Sequence, residues 1–583
     1  MRPILTLSIA FGAALMASTA MAQAQPQSSN DPTVALPPPP PPESEPLEID
    51  RPQQTAPAES PALGIALRGA RFAGARALTE ERLRPAWATY VGKDVSLSDL
   101  REIARKAERI YADAGYPFVV VAVQPQEIVD GVVEFTVVEG RISDLTVLGS
   151  DPTARRQATA AFQPLMDKET LSAEEMERAY ELARTLPGLS MSGALRRGTK
   201  PGGMDLVVQT RRRGWRGYLN ANNLFSEPVG PWGVLVGADF FGGSDYGDTT
   251  SVQLYSTTDW GEQKVLRLAH NRRLNGQGTT LNLSYLLADA NPGDVVAVLD
   301  LATDVQAFHA DVAHPIVLRS NYSMTASFGL DWSDQETTIF DGSPAATAIT
   351  EDKVRVASIR AAGQWRGDAR NARWAVELRQ GLDIGDASEV GDPLNSRAFG
   401  RPQARVLRVS TEGESWVGLG SNMRLYGRFE GQVASDPLLA PEEFSLGNLS
   451  IGRGFDPGSA FGDDAAAFSV EARWGPYPVG RSQFRVSPFA FYDGVYYGNQ
   501  DAEYVTVGAR PSREHYAHSA GAGLRFEQPG RGRLDLTWAE PLSVATDLPG
   551  AVEPDGRLLV NLTMTWEDLA ERAYRRGRRG EGQ

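Results

Sequence analysis

The stretch "LLVNLTMTW" (558–566) decides the fold. Leu558, Val560, Leu562, Met564 and Trp566 fall on one side of an extended chain, and Asn561, Thr563 and Thr565 fall on the other. A side-chain period of two belongs to a strand. The pattern recurs upstream. "TLNLSYLL" (280–287) sets Leu281, Leu283, Tyr285 and Leu287 against Asn282 and Ser284, and "RLDLTW" (533–538) sets Leu534, Leu536 and Trp538 against Arg533, Asp535 and Thr537. Between Gly214 and Trp566 about sixteen such segments succeed one another, an even number within the range of bacterial outer-membrane barrels.

Alternating strands also build soluble sandwiches and propellers. Three features argue otherwise: aromatic residues at strand ends, the length of chain given to one strand type, and an export signal at the start. With the apolar face inward, about sixteen strands would enclose a lumen too wide for side chains to fill. With that face outward in lipid the pattern is consistent, and closure pairs every backbone group as the bilayer requires. A transmembrane barrel of antiparallel strands over 213–566 is the expectation.

The export signal is "MRPILTLSIAFGAALMASTAMAQAQ" at the N-terminus: Arg2, an apolar run from Ile4 to Met16, then small-residue sites at Ala20-Met21-Ala22 and Ala22-Gln23-Ala24. That layout is a cleavable signal peptide, placed at 1–24. The apolar run is shorter than the ~20 residues of a spanning helix, and no later segment offers ~18 uninterrupted apolar residues. Residues 25–62, with an unbroken proline run from Pro37 to Pro42, read as an extended spacer.

Two similar units follow. In the first (63–140), a helix around Thr79 to Tyr90 precedes "VSLSDLREIARKAERIYADAGYPF", where Leu100, Ile103, Ala107, Ile110, Tyr111 and Ala114 recur at helical spacing. Ser96 and Asp99 resemble a capping box, and Gly115 and Pro117 end the helix. Strands "FVVVAVQPQ" and "VVEFTVVEG" come next, joined by a turn at Asp130-Gly131. The second unit (141–212) repeats the plan with a strand at "RISDLTVLGS" and a helix from Ala154 to Met166. Its second helix is capped by Ser172 and Glu175, and strands follow near 189–195 and 205–209. Each is compact enough for a small α+β module.

The 583-residue chain needs several domains, and its net charge of −15 argues against nucleic-acid binding. With no cysteine, no thiolate site exists. The five histidines are scattered; His515 and His518 are close, but no third ligand accompanies them. No nucleophile elbow, phosphate loop or dinucleotide fingerprint is present, so no enzyme, cofactor or metal is expected.

One stretch between strands stands apart: "FSLGNLSIGRGFDPGSAFGDDAAAF" (444–468), with Arg453 between Gly452 and Gly454. In "QFRVSPFAFYDGVYY" (483–497), Asp493 has the parity of Arg485, Ser487, Phe489 and Phe491, which places all five toward the lumen. Phe489 and Phe491 then offer Phe455 an apolar surface. In "FSVEARW" (468–474), Phe468, Val470, Ala472 and Trp474 face lipid, leaving Glu471 and Arg473 inward. An arginine in a water-poor lumen calls for a carboxylate in bidentate geometry, and flanking glycines let the backbone approach the wall. A solvated arginine in an exposed loop is the alternative on these residues alone.

Several of these stretches resemble a known family. "RFAGARALTEERL", "GYPFVVVAVQPQEIVDGVVEFTVVEGRI" and the strand–helix–helix layout resemble polypeptide-transport-associated (POTRA) domains. "FSLGNLSIGRGF", "GDDAAAFSVEARW" and "PFAFYDGVYY" resemble the signature regions of two-partner secretion transporters, the haemolysin and filamentous-haemagglutinin type, within the outer-membrane insertase and translocase superfamily. The resemblance runs from Ile65 to Trp566. It implies α+β POTRA modules in the periplasm, then a 16-stranded outer-membrane barrel that exports one large β-helical exoprotein to the cell surface without ATP. An outer-membrane assembly factor is the alternative within the superfamily. The resemblance further implies that the long loop 436–464 folds back into the barrel and that its arginine meets a wall aspartate, here Arg453 and Asp493. Three departures stand out. Gly452 replaces the usual aliphatic residue before Arg-Gly, and the prolines between Pro26 and Pro61 disfavour an N-terminal plug helix. A basic tail, 567–583, follows the Trp566 that suits recognition by the barrel-insertion machinery.

Overall fold

The computed structural model describes residues 48–49, 62–200, 202–418, 422–501, 514–545 and 554–567. The expected signal peptide, nearly all of the proline-rich spacer and the basic tail lie outside these residues.

The first small domain has a three-stranded sheet. Gly69–Ala73 pairs in parallel with Val132–Glu139, whose other side takes Val119–Val123 antiparallel. The region expected as one helix from Thr79 to Tyr90 is instead a short helix α1 (Glu80–Leu83) followed by two 3₁₀ turns. Pro85 accounts for the break, since its ring cannot continue a helix interior. Helix α2 (Leu97–Asp113) starts at a full capping box of Ser96 and Asp99. It lays Leu100, Ile103, Ala107 and Tyr111 on Phe72, Val133 and Phe135 of the sheet.

The second domain orders its strands as Glu48–Ile49, Leu189–Arg197, Gly203–Arg212 and Arg141–Leu148. The first of these, from the spacer, adds in parallel to the outer edge of Leu189–Arg197. Helix α3 (Pro152–Met166) is capped by Asp151, which accepts from Thr153 N–H and Ala154 N–H. Helix α4 (Ala173–Arg184) is capped by the Ser172/Glu175 box. Phe162, Leu165, Met176, Tyr180 and Leu206 form the core.

Glu139 joins the two domains. Its carboxylate accepts from Arg76 N–H at 2.8 Å, Ala77 N–H at 2.9 Å, Tyr111 Oη at 3.1 Å, and Thr170 of the second domain. Backbone bonds from Leu171 N–H to Gly140 C=O and from Ala173 N–H to Gly115 C=O reinforce the joint.

Sixteen antiparallel strands then close into a barrel. They are β1 (Trp215–Asn222), β2 (Gly233–Phe241), β3 (Asp248–Thr257), β4 (Gln263–Arg273), β5 (Thr280–Ala290), β6 (Ala302–Leu318), β7 (Tyr322–Ile339) and β8 (Thr347–Arg366). The second half is β9 (Arg370–Gly381), β10 (Arg405–Trp416), β11 (Met423–Ala434), β12 (Asp464–Trp474), β13 (Arg485–Gly498), β14 (Glu514–Gln528), β15 (Gly532–Pro541) and β16 (Arg557–Glu567). β16 returns to β1, from Arg216↔Glu567 to Asn222↔Asn561, so no edge is left unpaired. Exposure follows the sequence parity: Leu558, Met564, Trp538, Phe468 and Val470 project outward.

The second domain sits against one mouth of the barrel, the near end. Arg156 donates to Asp245 at 2.6 Å, and buried Gln157 donates to Ser244 C=O at 2.8 Å in the β2–β3 turn. Arg273 of β4 donates to Leu182 C=O at 2.9 Å and Thr185 Oγ1 at 2.6 Å, and Ser320 N–H donates to Glu177 at 2.7 Å. The long β11–β12 connection leaves from the opposite, far end.

Candidate functional site: an inward-folded loop docked on the barrel wall

The β11–β12 connection runs back into the lumen, and glycines shape its tip. Gly452 has φ +118°, a region that side chains avoid, and a Cβ there would lie 2.8 Å from Leu446 Cδ1. A Cβ on Gly454 would meet Ser519 Cβ at 2.7 Å and Pro541 N at 2.8 Å. The tip therefore touches the wall with backbone, and Arg453 reaches further.

Arg453 is held by five hydrogen bonds to three residues. Its N–H, Nε and Nη2 donate to Asp493 at 2.9, 3.0 and 2.8 Å; Nη1 donates to Glu471 at 2.8 Å; a second Nη2 bond reaches Ser469 Oγ at 2.8 Å. Asp493 is 1 % exposed and Glu471 3 % exposed. The wall residues are set by register. Ser469, Asp493 and Ser519 lie directly opposite one another on β12, β13 and β14, and Ser519 Oγ accepts from Gly454 N–H at 3.1 Å. One row across three strands thus receives four of the tip's bonds from Arg453 and the one from Gly454.

The next row is Glu471, Phe491 and Gly521, and the one beyond it is Arg473, Phe489 and Gly523. A Cβ on Gly521 would lie 2.7 Å from the Phe491 ring, and one on Gly523 2.5 Å from the Phe489 ring. The "GAG" of β14 makes room for both rings. The Arg453 guanidinium lies 3.5 Å above the Phe491 centroid, and that of Arg525 5.0 Å from Phe489, cation–π placements that add to the carboxylate bonds.

Phe455 does not rest on Phe489 and Phe491, as parity suggests. It is fully buried in a separate cluster with Leu446, Ile451, Val495 and Tyr497. The physical reason is that cations occupy the two wall rings, while Val495 and Tyr497, of the same parity nearer the far end, remain for Phe455.

Glu471 also accepts from Arg473 at 2.6 Å and Arg525 at 3.3 Å; Arg473 continues to Glu414 at 2.7 Å and Arg525 to Asp535 at 3.1 Å. Each cation is compensated, as charges held from bulk water require.

The root of the loop is held too, by residues that sequence reading missed. Arg397, 3 % exposed in the β9–β10 connection, donates to Glu443 at 3.0 Å and Asp463 at 2.8 Å, at the two ends of the loop, and to Asp501 at 2.6 Å. Arg379 of β9 grips Glu442 with bonds of 2.9 and 2.8 Å. The excess of acids around 442–443 and 463–464 is their only sequence signal. Among the described residues no group of three metal-ligating side chains converges. His515 contacts Val544 C=O at 3.1 Å.

The family model for POTRA domains of the ShlB type matches residues 65–140. The model for haemolysin secretion/activation proteins ShlB/FhaC/HecB matches residues 298–526, which hold the loop and its wall partners. Both matches point to the two-partner secretion transporters. Such a transporter moves a secreted exoprotein partner across the outer membrane, and this one is an outer-membrane barrel with that role. The heme/hemopexin transporter protein HuxB of Haemophilus influenzae (strain 86-028NP) is 22% identical over 463 residues, 78% of this chain and 79% of the relative. The structures of CdiB from Escherichia coli and from Acinetobacter baumannii share the transporter's fold. Their TM-scores are 0.71 and 0.64, at 17% and 14% identity, each covering 88% of this chain and 93% of the other.

Proposed function

We propose that the two small domains stand in the periplasm and hold one large unfolded exoprotein, of β-helical repeat type, which the barrel passes to the cell surface without ATP. Strand addition is the capture mode. Among the described residues Val119–Val123 has a sheet neighbour on one side only, and backbone pairing along such an edge gives affinity that depends little on sequence. The parallel addition of Glu48–Ile49 to the second domain supports it, since an extended segment already fits that edge. Folding outside the cell supplies the outward drive. The apolar outer band contacts lipid, and Trp566 at the end of β16 is the signal read by the insertion machinery.

The observation that carries the reading is the docked tip. Arg453 and Asp493, with Glu471 beside them, act as a releasable lock. Gly452 and Gly454 shape its approach, Phe455 anchors the loop beside it, and Phe491, with Phe489, forms the aromatic seat beneath. Deleting residues 65–212 tests the division of labour. The expected outcome is an inserted barrel with no exoprotein on the surface; continued export would refute capture by the small domains.

A further inference from the structure

A water-filled lumen has polar walls, yet one row of this one is apolar. Leu235, Tyr255, Val265, Ala288 and Val305 lie directly opposite one another on β2 to β6, and all five are buried. What covers them is the β1–β2 connection, "NLFSEPVG" (223–230), which also folds into the lumen from the far end. Phe225 and Val229 pack into that row, with the Phe225 and Tyr255 ring centroids 5.3 Å apart.

Both ends of the segment are fixed. Asn223 extends the β1–β16 seam past the end of β1: its N–H donates to Val560 C=O at 3.2 Å, and its Oδ1 accepts from Val560 N–H at 2.6 Å. At the other end Gly293 N–H donates to Pro228 C=O at 2.7 Å.

The segment also meets the long loop. Leu224 packs with Phe489 and Phe491, the rings beneath Arg525 and Arg453. Leu449 of the long loop packs on this cluster and on the Phe225 cluster alike. Arg557, first residue of β16, donates to Asp456 of the long loop and to the carbonyls of Asn223 at 3.4 Å and Phe225 at 3.2 Å. One guanidinium therefore bonds both inward segments.

We propose that residues 223–230 form a second plug in the lumen, coupled to the long loop through Arg557 and Leu449, so that the two clear the pore together. Withdrawal of the long loop takes Asp456 from Arg557 and Leu449 from both clusters, removing contacts that hold Phe225 and Leu224 in place. The inference rests on the barrel as a membrane pore and not on which polypeptide uses it.

The test is potassium chloride conductance of the purified full chain in planar lipid bilayers, which needs no client. Arg557→Ala and Phe225→Ala are each expected to raise conductance severalfold over the native chain. The chain has no cysteine, so Pro228→Cys with Gly293→Cys supplies a reversible tether across their hydrogen bond. In the Arg557→Ala background, oxidation is expected to return conductance to the native value and reduction to raise it again. A merely structural role for Arg557 would not respond to the tether. Native conductance in both loosened variants, or a rise that the oxidised tether leaves unchanged, would overturn the proposal.

Discussion

At the residue scale, the lock is defined by Arg453 and the row Ser469, Asp493, Ser519. Removing one partner of a buried, hydrogen-bonded ion pair costs about 3–5 kcal/mol; Arg453 keeps 21% of its side-chain exposure, so the lower part of that range applies. Arg453→Ala is expected to leave insertion intact, expose the tip to protease on whole cells and reduce export. Arg453→Lys recovers only part, because an ammonium cannot grip Asp493 through two nitrogens while reaching Ser469 and Glu471. Asp493→Ala added to Arg453→Ala costs little beyond either change alone, since residues in one contact are not additive; independent losses in protease protection would place them in separate interactions. Parity in "PFAFYDGVYY" was enough to aim Asp493, Phe489 and Phe491 inward. The seat of Phe455 was not legible, because parity says which wall a ring faces and not which neighbour has already claimed it. The role of the "GAG" glycines was not legible either, since their use depends on rings that face them across a strand pair.

At the element scale, the two helices with capping boxes were legible from their ends, whereas the one expected from Thr79 to Tyr90 was not, because Pro85 breaks it. The boxes Ser96/Asp99 and Ser172/Glu175 both form, and Ser172→Ala is expected to cost about 1 kcal/mol in stability of the second domain, read as a lower urea midpoint. The joint between the domains was not legible, because Glu139 looks like an ordinary strand-end acid until Thr170 is brought to it. Burial pushes the Glu139 carboxyl up, but hydrogen bonds from Thr170, from Arg76 and Ala77 N–H and from Tyr111 outweigh it and hold the group below its ordinary value. A depressed folded value means that this stabilisation is fully present above the unfolded value of about 4.3 and is lost as pH falls through the folded one. Amide exchange at Leu171, corrected for its intrinsic pH dependence, is therefore expected to rise as pH drops below about 4. In Glu139→Gln that pH response should vanish; its persistence would place the titrating group elsewhere.

At the scale of the whole molecule, the inward loop was implied only by the resemblance to two-partner secretion transporters, while the strand number and the closed barrel followed from a period-two pattern sustained from Gly214 to Trp566. The ion clusters at the loop root did not, because Arg397, Glu443, Asp463 and Asp501 come from three separate far-end connections that no local period relates. Nor did the inward turn of residues 223–230, which reads in sequence as a plain strand connection. The architecture that emerges is a barrel with two hydrogen-bonded small domains beside its near mouth and two far-end connections folded into its lumen. Its central claim is that this machinery serves one exported partner. The direct measurement is a comparison of cell-surface proteins and the outer-membrane barrel complement in cells with and without this chain. The account predicts loss of a single large exoprotein from the surface with the other barrel proteins unchanged. Depletion of many barrel proteins would contradict it and point to an assembly factor.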